Sequence, residues 1–321
     1  MQRLLALARS PWVTRTLLTL AAALGIWVLI AQREEALAAL SKVSPAGLLI
    51  AAVAGAGTVI CSALIWRAAL ADLGDRLPLT SAAEIFLLGQ LGKYLPGSVW
   101  PMVMQAELGS RYGVSRRRTL AASVVTLLVS LAAGMTLIVL TLPFLPDVNA
   151  AVRWAGLLAV PGLAVLHPAV LGRSIDLGLR LIRSEPLGAR TTVAGMAAAT
   201  GWALVGWGCS CVQLLALAVP LGLPLSFRSA GLVLGGYALA WVVGLVVVIA
   251  PAGAGAREGA LVALLAGSLP TGAALVVALL SRLMFTAADL TLAGVAVLAA
   301  RRATRRADGS ANGGPAAAGE G

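Results

Sequence analysis

The chain has 321 residues, 60% of them hydrophobic, with a mean hydropathy of +0.94 and a formal net charge of +11. A soluble domain cannot hide that much apolar surface, so the composition points to a membrane protein and excludes a soluble globular enzyme. The basic residues stand at the ends of apolar runs, where Lys and Arg mark membrane topology, so the charge does not call for a nucleic-acid partner.

Nearly charge-free runs of about 18 or more residues recur along the chain and predict an all-α, polytopic membrane helical bundle. The short alternating segments of a membrane β-barrel are absent. Met1 to Arg15 carry Arg3, Arg9 and Arg15 and no acid, and residues 16–31 form the first predicted span. A short loop with Arg33, Glu34, Glu35 and Lys42 leads to a second span at 45–69, after which Arg67, Asp72, Asp75 and Arg76 mark a return to the cytoplasm.

Residues 81–92 are apolar but too few to cross: at 1.5 Å per residue they cover roughly 18 Å, against a hydrocarbon core of roughly 30 Å. Lys93 and Tyr94 follow, then Leu95-Pro96-Gly97, a strong turn signal. Residues 98–111 can return as a second half-helix, with Pro101 in its first turn, where a missing N–H costs least. The pair predicts a re-entrant half-helix hairpin, closed by Arg111, Arg116, Arg117 and Arg118.

Further spans are predicted at 119–142, 151–166, 192–219 and 229–249. An interfacial amphipathic helix is predicted at 172–190, where Arg173, Arg180, Arg183 and Arg190 lie. At 250–259 the sequence reads APAGAGAREG; Pro251 and the glycines break the helix, which can restart near Ala256 and run to Leu269. This broken helix and a last span at 271–299 bring the count to about eight crossings. The reading is one transmembrane domain over 1–302 and a disordered cytoplasmic tail over 303–321. Of the basic residues, the outer loops hold only Arg33, Lys42, Arg153 and Arg228, which places both termini inside, in the cytoplasmic (inner) membrane.

Several charges remain at membrane depth. A central lysine such as Lys93 costs about 2.5–3.5 kcal/mol on the insertion scale, so it needs a partner or a polar cavity. It contacts a headgroup phosphate, or else it snorkels from a helix lying flat on the surface. Arg257 and Glu258 stand where a helix restarts after a break; free N–H groups there favour an anion, and Glu258 alternatively only complements the helix dipole. Arg282 and Asp289, seven apart in the last span, lie on nearly one face but roughly 10 Å apart, too far for a direct pair. Glu258 is a plausible mate for Arg282, and Asp289 alternatively sits near the cytoplasmic end. Tyr94, Glu107 and Arg111 complete the candidate set, the last two spaced i, i+4 as an interfacial ion pair. Arg116 to Arg118 read as a topology anchor, and the tryptophans as interfacial anchors or packing.

No metal site, cofactor loop or catalytic triad is predicted. Cys61, Cys209 and Cys211 fall in apolar runs, His167 is the single histidine, and no GxxxxGK[ST] pattern occurs.

Gly92-Lys93-Tyr94-Leu95-Pro96-Gly97, continuing to Gly113-Val114-Ser115, resembles the first motif of the lysylphosphatidylglycerol synthase transmembrane (flippase-like) family. Residues 251–261, Pro251 through Leu261, followed by Arg282, resemble its second motif. The first departs from the commoner form, which has Gly-Glu soon after Pro-Gly; Val99-Trp100 stand in that region. The resemblance spans roughly 15 to 300. It implies a membrane domain of the type that moves aminoacylated phospholipid between leaflets, with relatives linked to polyprenyl-linked glycan assembly. It further implies a stand-alone form without the aminoacyl-transferase domain.

The expectation is a non-enzymatic lipid transporter. It would move an anionic phospholipid or a polyprenyl-phosphate-linked glycan, with Lys93, Arg257 and Arg282 holding the phosphate and Glu258 and Asp289 balancing charge. Two alternatives stand beside it: a membrane subunit docking a cytosolic glycosyltransferase of cell-envelope synthesis, and a membrane glycosyltransferase, for which the loops are short.

Overall fold

The computed structural model describes residues 41–94, 99–145, 191–246, 253 and 255–312, with side chains as far as Arg302. The predicted spans at 16–31 and 151–166, the amphipathic helix at 172–190, the turn at 95–98 and Pro251 lie outside the described residues. The helices are α1 (Pro45–Asp72), α2 (Leu79–Gln90), α3 (Trp100–Arg111), α4 (Arg116–Thr141), α5 (Val193–Ala218), α6 (Phe227–Val246), α7 (Ala256–Leu265) and α8 (Thr271–Asn312). No strand occurs among the described residues, and α1, α4, α5, α6 and α8 are long and apolar enough to cross a bilayer. The chain is an all-α membrane bundle.

Polar side chains set where these helices begin. Ser44 Oγ accepts from the Gly47 N–H, Ser115 Oγ from the Arg118 N–H, and Thr192 Oγ1 from the Gly195 N–H. Each satisfies a backbone donor that the first turn leaves without a partner. The Ser115 cap explains why α4 starts at Arg116 rather than at the expected Thr119.

α1 and α5 run antiparallel along their length. Thr58 Oγ1 meets Ser210 Oγ at 3.1 Å in the middle, and at one end Asp72 accepts from the Thr192 N–H at 2.7 Å and hydroxyl at 2.6 Å. Their outer faces carry exposed Leu49, Val53, Ile60, Leu204 and Val205, which suits contact with lipid rather than water.

The half-helix hairpin is present. The Tyr112 hydroxyl, just past α3, donates to Glu84 in α2, while Gly89 faces Gln105 and Gly92 faces Pro101. As the α2 number rises the α3 number falls, which is antiparallel pairing of two twelve-residue helices, each roughly 18 Å long. The approach at the tip is tight: a Cβ on Gly92 would lie 2.8 Å from the Pro101 nitrogen. Buried Gln105 then ties the returning half to the bundle, accepting from Ser123 Oγ at 2.5 Å, while the Trp66 indole donates to the same Ser123 at 3.2 Å.

Two boundaries differ from expectation. α7 stops at Leu265 instead of Leu269, because Gly267, Ser268 and Pro270 disfavour continuation. α8 continues through the expected tail boundary at 302 to Asn312, since alanine and arginine are strong helix formers and no proline intervenes. Packing places α8 against α1, α2, α5 and α7, so a single helix touches both interrupted elements.

Candidate functional site

Arg282 and Asp289 lie on α8 about two turns apart and straddle the middle of its apolar part, Thr271–Arg302. From the end of the first half-helix, the short 3-10 turn Leu91–Tyr94 aims two side chains at Asp289. Lys93 Nζ lies 2.5 Å from Asp289 Oδ2, and the Tyr94 hydroxyl donates to the same oxygen at 2.6 Å. The Asp289 side chain is 1% exposed and that of Lys93 26%. Asp289 Oδ1 is also buried, and among the described residues it has no hydrogen-bond partner.

The second interrupted element is built from glycine. Gly253 and Gly255 have φ of 67° and 85°, a region that L side chains avoid, and a Cβ on Gly253 would lie 2.8 Å from Gly244 Cα. The chain thereby passes against α6 and restarts as α7. Glu258 serves two groups there: Oε2 accepts from the Gly255 N–H at 2.6 Å, and Oε1 takes Arg282 Nη1 at 2.7 Å. One carboxylate thus both caps the start of α7 and pairs with Arg282.

Arg257 is held differently. Its guanidinium donates to the Tyr237 hydroxyl and lies 4.7 Å from the Tyr237 ring centroid and 5.4 Å from that of Phe285. Those two rings are themselves stacked, with centroids 6.1 Å apart. Among the described residues no carboxylate lies within ion-pair distance of Arg257.

Several of these groups line a cavity of about 140 Å³. At roughly 10–15 Å³ per water centre, that is room for on the order of ten waters or a small polar headgroup. Lys93, Arg257 and Asp289 line it, together with the hydroxyl-bearing Thr58, Ser62 and Ser210 and the indoles of Trp207 and Trp241. Arg282 does not line it; its partner Glu258 is the neighbour of Arg257 in the chain.

The expected set is thus partly assembled. Lys93, Tyr94, Arg257, Glu258, Arg282 and Asp289 form two linked clusters, with Glu258 paired to Arg282 as expected. Glu107 and Arg111 do not join them. Glu107 Oε2 pairs with Arg116 at 2.9 Å, on the surface, and not with Arg111. The sharp turn at Gly113, with φ of 77°, brings the start of α4 back over α3, so a residue nine positions on outcompetes the one a helical turn away. The tryptophans, expected as anchors or packing, include two that face the cavity. The hydroxyl wall and Tyr237 were missed. Thr58 and Ser62 on α1, and Trp207 and Ser210 on α5, repeat at helical spacing within apolar runs, which was the available signal.

Such a bundle, with paired and unpaired charges around an interior cavity at mid-helix, defines a polytopic membrane protein with a polar interior site. Residues 12–294 match the family model described as the lysylphosphatidylglycerol synthase TM region, and the chain belongs to that family. No curated protein matches it significantly.

Proposed function

We propose that the protein is a flippase-like lipid transporter, moving a phosphate-bearing lipid between leaflets while the lipid tails stay in the bilayer. The observation that carries this reading is the pair of cations, Lys93 and Arg257, facing a cavity in which Asp289 is the single lining carboxylate among the described residues. Charge inside an apolar bundle is expensive unless it is matched, and intramembrane ionisable residues that face a cavity mark substrate paths. The three lining groups sum to one positive charge, and the single negative charge of a phosphodiester brings the cavity to neutrality. Interrupted helices at membrane depth that bring charge to an interior cavity are the architecture of transporter binding sites. Family membership supports a role with membrane lipid.

Arg257 offers the first contact, because among the described residues its guanidinium holds no carboxylate, and its planar fork suits a phosphate. Lys93 follows if the phosphate displaces Asp289. Arg282 and Glu258 act one layer back, fixing the start of α7 so that Arg257 points inward. No residue here is assigned a covalent step.

The test is leaflet accessibility of fluorescent phosphatidylglycerol in proteoliposomes, comparing the wild type with Arg257→Ala and Arg282→Ala at matched incorporation. Wild-type movement well above protein-free vesicles, and a large loss in Arg257→Ala, is the expected result. Equal movement in wild type and Arg257→Ala would overturn the site.

A further inference from the structure

We infer that Cys61 and Cys209 form an oxidisable pair, and that a disulfide between them straps α1 to α5 beside the cavity and stops lipid movement. The pair is a modification site in its own right, and its effect on movement rests on the lipid-transport reading above.

Cys61, Cys209 and Cys211 are all free thiols, and the fold places them unequally. Cys61 on α1 is buried and lines the cavity. Cys209 sits on the face of α5 that packs against α1, while Cys211 turns to α6 and donates to the Ala230 carbonyl at 3.6 Å. The thiols of Cys61 and Cys209 lie within interaction distance of each other.

Helix geometry brings that pair together. Each cysteine stands opposite a glycine of the antiparallel partner. A Cβ on Gly57 would lie 3.1 Å from Cys209 Sγ, and a Cβ on Gly206 would lie 3.1 Å from Cys61 Cβ. Cys209 is therefore level with a point about one turn N-terminal to Cys61, and Cys61 with a point about one turn N-terminal to Cys209. Side chains lean toward the N-terminus of their own helix, so these two lean toward each other. With no side chain on either glycine the backbones approach closely. A disulfide needs that approach, since its Cβ atoms stand only about 3.5–4.5 Å apart.

Closing the bridge oxidises both thiols. Each loses its proton, one S–S bond forms, and a bilayer-permeant two-electron oxidant of the quinone or azo class takes up the two electrons and two protons. The depth of the pair suits such a reagent, because charged reductants of the aqueous phase pay heavily to enter an apolar bundle. The strap falls where the cavity wall is made. Thr58 bonds the Gly206 carbonyl at 3.2 Å and Ser210 at 3.1 Å across the same interface, and Thr58, Cys61, Ser62 and Ser210 all line the cavity. A covalent tie there fixes one wall of a space of only about 140 Å³, which must widen for a lipid head to pass.

The experiment treats proteoliposomes of the full chain with diamide, a bilayer-permeant azo oxidant, then alkylates the remaining thiols for mass spectrometry of the peptides. The Cys61 and Cys209 peptides should become joined while Cys211 stays alkylated. Movement of fluorescent phosphatidylglycerol should fall to the level of protein-free vesicles and return on reduction with dithiothreitol. Cys209→Ala, which removes no lining residue, should make movement indifferent to diamide, whereas Cys211→Ala should stay as sensitive as the wild type. Cys61 and Cys209 alkylated separately after diamide would overturn the inference. So would a joined pair with movement unchanged, or inhibition that persists in Cys209→Ala. A reduced wild type that moves no lipid removes the transport reading and the strap's effect with it, while the joined peptides decide the modification site separately.

Discussion

The two interrupted elements each bring one cation to the cavity, and they hold it in opposite ways. Lys93 arrives with its charge already answered, in contact with a carboxylate that is 1% exposed. Arg257 arrives with its charge spread over two aromatic rings and one hydroxyl, with no described carboxylate in reach. The difference separates stability from binding. Removing Lys93 leaves a buried anion without its counter-charge, whereas removing Arg257 leaves neutral rings. Lys93 therefore carries the larger share of folding energy, and Arg257 the larger share of ligand affinity.

The sharpest way to break this contrast is Lys93→Met. Deleting one member of a buried ion pair typically costs about 3–5 kcal/mol, because the remaining charge is uncompensated. The expected outcome is a large drop in the unfolding temperature in detergent, with most of it recovered in Lys93→Met/Asp289→Leu. A double variant as unstable as the single one would show that the pair itself, and not the stranded aspartate, supplies the stability.

Arg257→Ala tests the other side. A charge-assisted hydrogen bond to a phosphate is worth about 1.5–3 kcal/mol, so retention of phosphatidylglycerol should fall about 10- to 100-fold while the unfolding temperature changes little. Arg257→Lys keeps the charge but loses the planar fork and its stacking on Tyr237 and Phe285, and should recover only part of the affinity. Full binding by the lysine variant would mean that charge alone suffices.

What the amino-acid pattern revealed, and what it hid, follows the same division. The end of the first half-helix before Trp100 and the restart of the chain at Ala256 were legible because proline and glycine act on the local backbone, whatever surrounds them. The Glu258 and Arg282 pairing was also legible, since helical spacing ruled out an Arg282 to Asp289 contact and left Glu258 as a mate. The link from Lys93 to Asp289 was not, because it depends on how α2 docks on α8, nearly two hundred residues away in the chain. Tyr237 and the hydroxyls of Thr58, Ser62 and Ser210 stayed hidden for a related reason. In an apolar run a small polar residue reads as tolerated packing until a neighbouring helix shows that it faces a cavity.

Glu258→Gln probes the layer behind Arg257. The amide oxygen can still accept from the Gly255 N–H, so the cap survives, while the ionic contact to Arg282 is lost. A cost of about 1–2 kcal/mol in unfolding is expected, with a smaller fall in lipid retention than for Arg257→Ala. Glu258→Ala, which removes the cap as well, should cost more in both measurements. Identical effects from the two variants would show that the cap contributes nothing to where Arg257 points.

The smallest effect belongs to the pair that lies outside the site. Glu107 and Arg116 are 58% and 65% exposed, in contact with solvent or headgroups rather than with the cavity. Exposed ion pairs of this kind contribute under about 1 kcal/mol, because water screens the charges and two long side chains must be ordered to form them. Glu107→Gln should therefore leave both the unfolding temperature and phosphatidylglycerol retention within error of the wild type. A large loss of lipid movement in this variant, with retention intact, would place the hairpin's outer end in the transport path and extend the functional region from the cavity to the surface at Gly113.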